Sequence, residues 1–208
     1  MSTSQARTAL FLAENDEDVI VLTRTLYLQL GWNIIAPRPL AAAFEQSGVS
    51  VFGGERTMIL EEHEGGLVAI KTSLSLALTA DDTPANRRIL AHTSVPLIDL
   101  VCVILRSTER ATDAGETPEV VSATTDWIGL STIILGCVGR RMVVTNVDQF
   151  SDAASLARSL EEARPINVSR LKSIWIGEAY GAIERYSSIL ARYHGQFANH
   201  PEPEAVQS

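Results

Sequence analysis

The chain has 208 residues, a formal net charge of -8 and a pI of about 5.0, which suits one α/β domain. This acidic balance argues against nucleic acid and membrane surfaces as partners. No segment is apolar enough to cross a bilayer, and the first residues do not resemble a signal peptide. Cys102 and Cys137 lie in apolar runs, where free thiols of a reducing compartment are expected. We therefore expect a cytoplasmic protein.

The first quarter of the chain predicts alternating strands and helices. Acids around Asp16 form a helix cap, and Gly31 is the expected helix stop. Because such alternation implies right-handed crossovers, it predicts a parallel sheet. The predicted elements are a strand over 8–13, a helix ending before 31, a strand over 33–36, a stiff turn at 37–39, a helix over 40–46 and a strand over 49–52.

The next stretch carries two features with open interpretations. The acidic cluster Glu61-Glu62-His63-Glu64 is interpreted as a solvated loop or helix end, because adjacent residues seldom converge on one metal ion. Lys71 is the one charge in a segment of otherwise apolar or small residues over 67–78. It is either a surface lysine whose stem packs on apolar neighbours or a lysine held near a pocket. A short helix over 86–92 follows.

The run from Pro96 to Leu105 is the centre of the predicted sheet. It is apolar and rich in Val and Ile, with Asp99 as its one acid, which is typical of a strand buried on both faces. Ligands of open α/β sheets bind beyond the carboxyl ends of the strands. We therefore expect a site in the residues after Leu105, where a polar loop reaches Pro118.

The last part of the chain predicts a capped apolar helix, a strand and two more helices. The Thr124–Asp126 group is the cap of the first helix. The expected domain covers residues 8–195, with disordered ends at 1–7 and 196–208. The chain has no Gly-rich phosphate loop, nucleophile elbow or Cys-x-x-Cys pair. The later elements are a helix to 135, a strand over 141–146, a helix over 148–163 and a helix over 169–193.

Several short segments together resemble one family in order and spacing. They are Thr8-Ala9-Leu10-Phe11, the stretch 30–35, Lys71-Thr72, the strand 98–103, Asp126-Trp127-Ile128-Gly129, the stretch 143–150, and the spacing of Ala179-Tyr180, Tyr186 and Tyr193. By these segments the chain is similar, over residues 8–195, to the IMP cyclohydrolase domain of the bifunctional purine-biosynthesis enzyme. The resemblance implies a three-layer α/β fold of the methylglyoxal-synthase-like type, with a mostly parallel sheet flanked by helices.

The chain departs from that family where a substrate would bind. The stretches 12–16 and 36–40 lack the glycines and hydroxyls that cradle the family's nucleotide phosphate. Arg106 stands at the position of the family's catalytic tyrosine, and its second catalytic lysine has no counterpart near Val138. The phosphate site of the family is therefore not expected to work here in its usual form.

The resemblance, together with the departures from it at Arg106 and Arg38, suggests roles for seven residues. In the family's reaction a carboxamide nitrogen attacks a formyl carbon and water leaves, which requires oxyanion stabilisation and proton transfer. Lys71 would stabilise the oxyanion, Asp126 would orient the substrate or accept a proton, and Arg106 would stabilise charge without shuttling a proton. The implied substrate-binding residues are Arg38, which would bind an anion, with Thr72, Trp127 and Gly129.

Three hypotheses about function follow. The first is a diverged cyclase that carries out a dehydrative ring closure or condensation on a different small molecule in a specialised pathway. The second is an inactive homologue that binds a metabolite or a protein, and the third is authentic IMP synthesis, which the altered phosphate loops disfavour. A closed cavity lined by Lys71, Arg106, Asp126 and Trp127 would favour an enzyme. We expect no cofactor and no metal, and the family resemblance implies a homodimer.

Overall fold

A computed structural model describes residues 6–14, 16–52, 60–62, 68–93, 95–107, 112, 114–162 and 167–198. The strands are β1 (Thr8–Leu12), β2 (Asn33–Ile35), β3 (Leu60–Glu62), β4 (Val68–Ile70), β5 (Leu100–Val103) and β6 (Met142–Val144). The α-helices are α1 (Glu17–Arg24), α2 (Arg38–Gln46), α3 (Thr72–Thr79), α4 (Pro84–Ala91), α5 (Pro118–Thr124), α6 (Trp127–Val138), α7 (Phe150–Glu161) and α8 (Val168–Ala198).

The main sheet has four parallel strands in the order β2-β1-β5-β6. Strand β5 lies in its interior, with Leu10 opposite Val101 on one side and Val101 opposite Val143 on the other. All four residues of β5 are buried, as expected for a strand covered on both faces. The expected three-layer α/β fold with a parallel sheet is therefore confirmed, while its methylglyoxal-synthase-like type stays a prediction.

All five predicted strands are shorter in the structure, and two of them differ most from the prediction. The central strand covers Leu100–Val103 rather than 96–105, because the N–H of Ile98 donates to the carbonyl of Ala77 in α3 instead of to a strand. The predicted strand over 49–52 is reduced to one parallel bridge, between Val51 and Ile34. Helix α2 begins at Arg38 rather than Leu40, since a proline is tolerated in the first turn of a helix.

Two apolar clusters, one on each face of the sheet, form the core. Helices α1, α2 and α7 cover one face, where Phe11 and Phe44 meet edge to face with ring centroids 5.5 Å apart. Helices α3, α4 and α6 cover the other face. Helix α8 runs along β6 and contributes Trp175 to the first cluster and Ala179 to the second. Polar groups lie at the two remaining edges of the sheet: the amino edge, where the strands begin, and the carboxyl edge, where they end.

The first two residues of the acidic cluster lie in a strand rather than in the loop or helix end that we expected. Glu61 and Glu62 belong to β3, which pairs antiparallel with β4 in a small separate sheet. The remaining members of the cluster, His63 and Glu64, lie outside the described residues. Among the residues that the structure describes, no group of three or more His, Cys, Asp or Glu side chains is placed to hold a metal ion.

Asp99, at the amino edge of the sheet, anchors an ionic network. Its carboxylate accepts hydrogen bonds from the N–H of Thr8 at 3.0 Å and from Arg7 and Arg87, each at 3.1 Å. Arg7 also bonds Glu161 of α7 at 3.1 Å. Arg7 is thus an ordered part of the fold, in contrast to the disordered terminus expected over 1–7.

The C-terminal helix is longer than predicted. Helix α8 continues through Ala198, so the first residues of the expected disordered tail are helical. The rest of that tail, 199–208, and residues 1–5 lie outside the described residues.

Both cysteines are free and buried, as expected. Burial raises the pKa of the Cys137 thiol to about 11 and that of Cys102 further still. Over the described ranges, no single helix is long and apolar enough to cross a membrane; α5 and α6 meet that criterion only jointly, across a bend of 46°.

Candidate functional site

Most of the predicted site residues lie at the carboxyl edge of the sheet because helices α3 and α6 both begin there. The carbonyl of Leu78, near the end of α3, accepts from Arg141 Nε at 2.7 Å, close to the start of β6. Gly139, which ends α6, lies so close to the same carbonyl that an added Cβ would collide with its oxygen. Helices α3 and α6 thus both end at the amino edge. They begin at the opposite edge, with Lys71 and Asp126 at their N-caps.

Asp126 is buried and its carboxylate holds two segments of backbone. One oxygen accepts from the N–H of Gly129 at 2.9 Å, which caps α6 as the sequence predicts. The other oxygen accepts from the N–H of Arg106 at 3.3 Å, just after β5. The guanidinium of Arg106 lies 4.0 Å from the same carboxylate. Asp126 therefore joins the start of α6 to the loop in which a site was expected.

Gly129 is packed tightly against this cap. A Cβ at Gly129 would lie 2.7 Å from a carboxylate oxygen of Asp126 and 2.8 Å from Leu105 Cδ2. Only glycine fits without a shift of one of these groups. Since its N–H is already bonded to Asp126, a contact of Gly129 with a substrate stays a prediction.

Two tyrosines of α8 hold the segment before α6. The phenolic oxygen of Tyr186 accepts from the N–H of Asp126 at 2.8 Å, and Tyr193, two turns later, donates to the carbonyl of Glu116. Both side chains are almost fully buried. Because they lie seven residues apart, they share one face of the helix. Helix α8 thus positions Asp126 through its backbone.

A cleft lies where β5 and β6 end beside α8. Its volume is about 270 Å³, close to the lower end of ligand sites, which typically begin near about 300 Å³. Strand β5 and the residues after it contribute Ile104, Leu105, Arg106 and Ser107, and Thr145 follows β6. Helix α8 contributes one face, formed by Ala182, Arg185, Tyr186 and Ile189. The site expected after Leu105 therefore coincides with a cleft at the carboxyl edge.

The structure divides the predicted site residues into three groups. Arg106 lines the cleft, and Asp126 touches two lining residues through its backbone and carboxylate. Gly129 supports Asp126. The other four are at the starts of their helices and do not line this cleft: Lys71 is half-buried, whereas Arg38, Thr72 and Trp127 are exposed. Of the four residues whose shared cavity would favour an enzyme, Lys71, Arg106, Asp126 and Trp127, only Arg106 lines this open cleft.

Sequence reasoning missed Arg185 and used Tyr186 only for packing and spacing. A signal was present, because Ala182, Arg185, Tyr186 and Ile189 follow the i, i+3, i+4, i+7 spacing of one helix face. An arginine within that otherwise apolar face is unusual for a face that only packs. What the spacing does not reveal is that this face meets the end of β5.

Comparisons with known proteins show the fold only. No protein-family model matches the chain, and no curated protein does. Among solved structures, the chain is similar to the crystal structure of ForH, with a TM-score of 0.67 and 18% sequence identity. The similarity covers 91% of this chain and 99% of ForH. At this identity it supports the α/β architecture and carries no function across.

Proposed function

We propose that the protein is a diverged cyclase that closes a ring, with loss of water, in a small molecule bound in the cleft. The observation that carries the proposal is the connection of Arg106, Asp126 and Tyr186 at the carboxyl edge. Arg106 and Tyr186 line the cleft. The backbone N–H of Arg106 donates to the Asp126 carboxylate, and the backbone N–H of Asp126 donates to the hydroxyl of Tyr186. The methylglyoxal-synthase-like type of the fold, the resemblance to IMP cyclohydrolase and a cytoplasmic location are parts of the same proposal.

The proposed reaction needs stabilisation of one developing charge and movement of protons. A nitrogen attacks a carbonyl carbon, the new C–N bond forms, and the carbonyl oxygen becomes an oxyanion. Arg106 is placed to stabilise this oxyanion with a fixed positive charge. The C–O bond then breaks and the oxygen leaves as water. Its two protons come, overall, from the attacking nitrogen and from the nitrogen already bonded to the same carbon, as a C=N bond forms.

Tyr186 is the proposed proton carrier within the cleft. Its oxygen accepts the Asp126 N–H, so the hydroxyl hydrogen can be donated elsewhere. Asp126 serves mainly to position both partners, since its carboxylate oxygens already accept backbone N–H groups. This division differs from the sequence-based expectation, in which Asp126 itself orients the substrate or accepts a proton.

The test uses the reaction of the family that the sequence resembles. We would follow ring closure of 5-formamidoimidazole-4-carboxamide, its riboside and its 5′-phosphate by ultraviolet absorbance. We expect turnover of at least one compound, with kcat about 100-fold lower in Arg106→Ala. Arg192→Ala is the matched control, because Arg192 is exposed on α8 and is not among the residues that line the cleft. Lys71→Ala, assayed in parallel, decides whether Lys71 belongs to the site.

A second candidate function is metabolite binding without catalysis. It is favoured by the engagement of both Asp126 oxygens with backbone N–H groups, which suits a structural cap. A compound that raises the melting temperature by binding to the native protein, yet is never closed, would favour this alternative. Absence of both binding and turnover for all three compounds would contradict the cyclase proposal.

We also propose that the chain forms a homodimer. Helix α6 has no charged residue, yet Trp127, Ile134 and Val138 on its outer face are 43%, 43% and 62% exposed. A helix that is apolar on every face is usually covered. Sedimentation equilibrium tests this directly: a monomer at all concentrations would contradict the proposal.

A further inference from the structure

The cleft is cationic on an acidic protein. Arg106 and Arg185 both line it, and none of the described residues that line it is acidic. The chain as a whole carries a formal net charge of -8. Two guanidinium groups in a concave site, with no carboxylate among its described lining residues, favour a local positive potential that attracts anions.

Among the described residues, the guanidinium of Arg106 has no ion pair closer than its 4.0 Å approach to Asp126. Its side chain is 59% exposed, and the nearest Asp126 oxygen is 4.0 Å away, beyond hydrogen-bond distance. Both oxygens of that carboxylate accept backbone N–H groups instead. The donors of Arg106 therefore remain available on the cleft side.

Arg185 is exposed and makes no ion pair with any carboxylate in the described ranges. One of its terminal nitrogens would be 3.4 Å from a Cβ at Gly181, so the guanidinium folds back along the helix. Elsewhere, Arg7 and Arg87 bond Asp99, and Arg141 bonds two backbone carbonyls. In the part of the chain that the structure describes, the guanidinium groups of Arg106 and Arg185 make no hydrogen bond with a carboxylate.

We infer that Arg106 and Arg185 together bind an anionic group, a carboxylate or a phosphate, of the molecule that occupies the cleft. The inference rests on the cleft of the proposed function but not on turnover. Guanidinium groups recognise both anions through paired N–H donors, and such charge-assisted bonds are stronger than neutral ones. Neutral residues such as Ile104 and Ile189 would contact the apolar remainder of the ligand.

The experiment uses inorganic phosphate and malonate as separate probes. The full chain is labelled with ¹⁵N at the arginine Nε, and each anion is titrated at constant ionic strength held with sodium chloride. We expect saturable shifts of the Arg106 and Arg185 resonances with one common dissociation constant, while the Arg192 resonance stays unshifted. Arg185→Ala should weaken binding by about tenfold, consistent with loss of one charge-assisted contact. Arg192→Ala should leave the dissociation constant unchanged.

Each outcome supports or overturns the inference. Binding of phosphate alone assigns a phosphate-bearing ligand, and binding of malonate alone assigns a carboxylate. Equal, unsaturable shifts of all exposed arginines, or an unchanged dissociation constant in Arg185→Ala, would overturn it. Should Arg185→Ala not fold, the pattern of shifts in the wild type and in Arg185→Lys decides, since lysine keeps the charge but not the paired donors. Because no turnover is measured, loss of the cyclase proposal would leave this result intact.

Discussion

The phenolic oxygen of Tyr186 accepts a hydrogen bond of 2.8 Å from the backbone N–H of Asp126, a residue 60 positions earlier in the chain. Both residues are buried. This bond fixes the start of α6 against α8, and the carboxylate of Asp126 then fixes the loop after β5 through the N–H of Arg106. The shape of the cleft therefore depends on one hydroxyl group.

Removal of that hydroxyl should destabilise the protein. In Tyr186→Phe the Asp126 N–H loses its partner while remaining buried, which costs about 1–3 kcal/mol of unfolding free energy. Tyr180→Phe is the matched control, because Tyr180 is 49% exposed on the same helix. Urea unfolding of both variants measures the effect. Equal stabilities for the two would show that the bond is not formed in solution.

Substitution of Asp126 separates its capping role from any chemical role. Asp126→Ala should lower the unfolding free energy by about 1 kcal/mol through loss of the α6 cap, while Asp126→Ser should retain most of it because serine caps well. If Asp126 acted as a general base, both variants would lose at least about 100-fold in kcat. If kcat of Asp126→Ser falls only to the extent that its unfolding free energy falls, the positioning role is supported.

Gly129→Ala should destabilise the protein, whereas Gly177→Ala should stabilise it. Its new methyl group would lie 2.7 Å from Asp126 Oδ2, so the cap or the loop must shift at a cost of about 1–3 kcal/mol. Gly177 lies in α8 with no atom within 4 Å of an added Cβ. Gly177→Ala should therefore stabilise by about 1 kcal/mol, as alanine favours helix. Thermal unfolding of the pair tests the opposite signs.

The amino-edge network gives a pH-dependent prediction. The hydrogen bond from Arg87 holds the pKa of Asp82 below its ordinary value, so this contact stabilises the fold above that value. The contribution is lost as the pH falls through the lowered native pKa. The wild type should therefore exceed Arg87→Gln in unfolding free energy at neutral pH, and the difference should narrow below about pH 4.

The size of that difference comes mainly from a second contact. Arg87 also bonds the buried carboxylate of Asp99, which is worth about 1–2 kcal/mol, whereas Asp82 is half-exposed and screened by solvent. Arg88→Gln is the control, because Arg88 is exposed and bonds only a carbonyl of its own helix. Urea unfolding from pH 3 to 7 measures both. A difference that stayed constant at acid pH would contradict the role of Asp82.

Much of the fold is predictable because its signals are local. Asp16 caps α1 and Asp126 caps α6, as their positions before apolar helical stretches indicate. The Val- and Ile-rich run marks the interior strand. Strand lengths are less predictable, since the approach to β5 is held by a bond from Ile98 to a carbonyl in α3. A local pattern carries no information about such a distant partner.

The candidate site shows the same division. The sequence predicts at which edge of the sheet the site lies, because parallel strands end together and Arg106 comes directly after the interior strand. Its walls do not, because Arg185 and Tyr186 belong to a helix far along the chain and enter the cleft only through the packing of α8 beside β6. The amphipathic spacing of α8 predicts one buried face but not the neighbour of that face.

The helix caps, the alternation of strands and helices in the first quarter of the chain and the buried central strand were predictable, since they depend on residues a few positions apart. Three features required the packed fold: Asp126 is engaged with backbone N–H groups, Lys71 does not line the cleft, and two arginines share it. Whether a charged group is neutralised, capped or left available depends on distances across the fold, which no short stretch of sequence encodes.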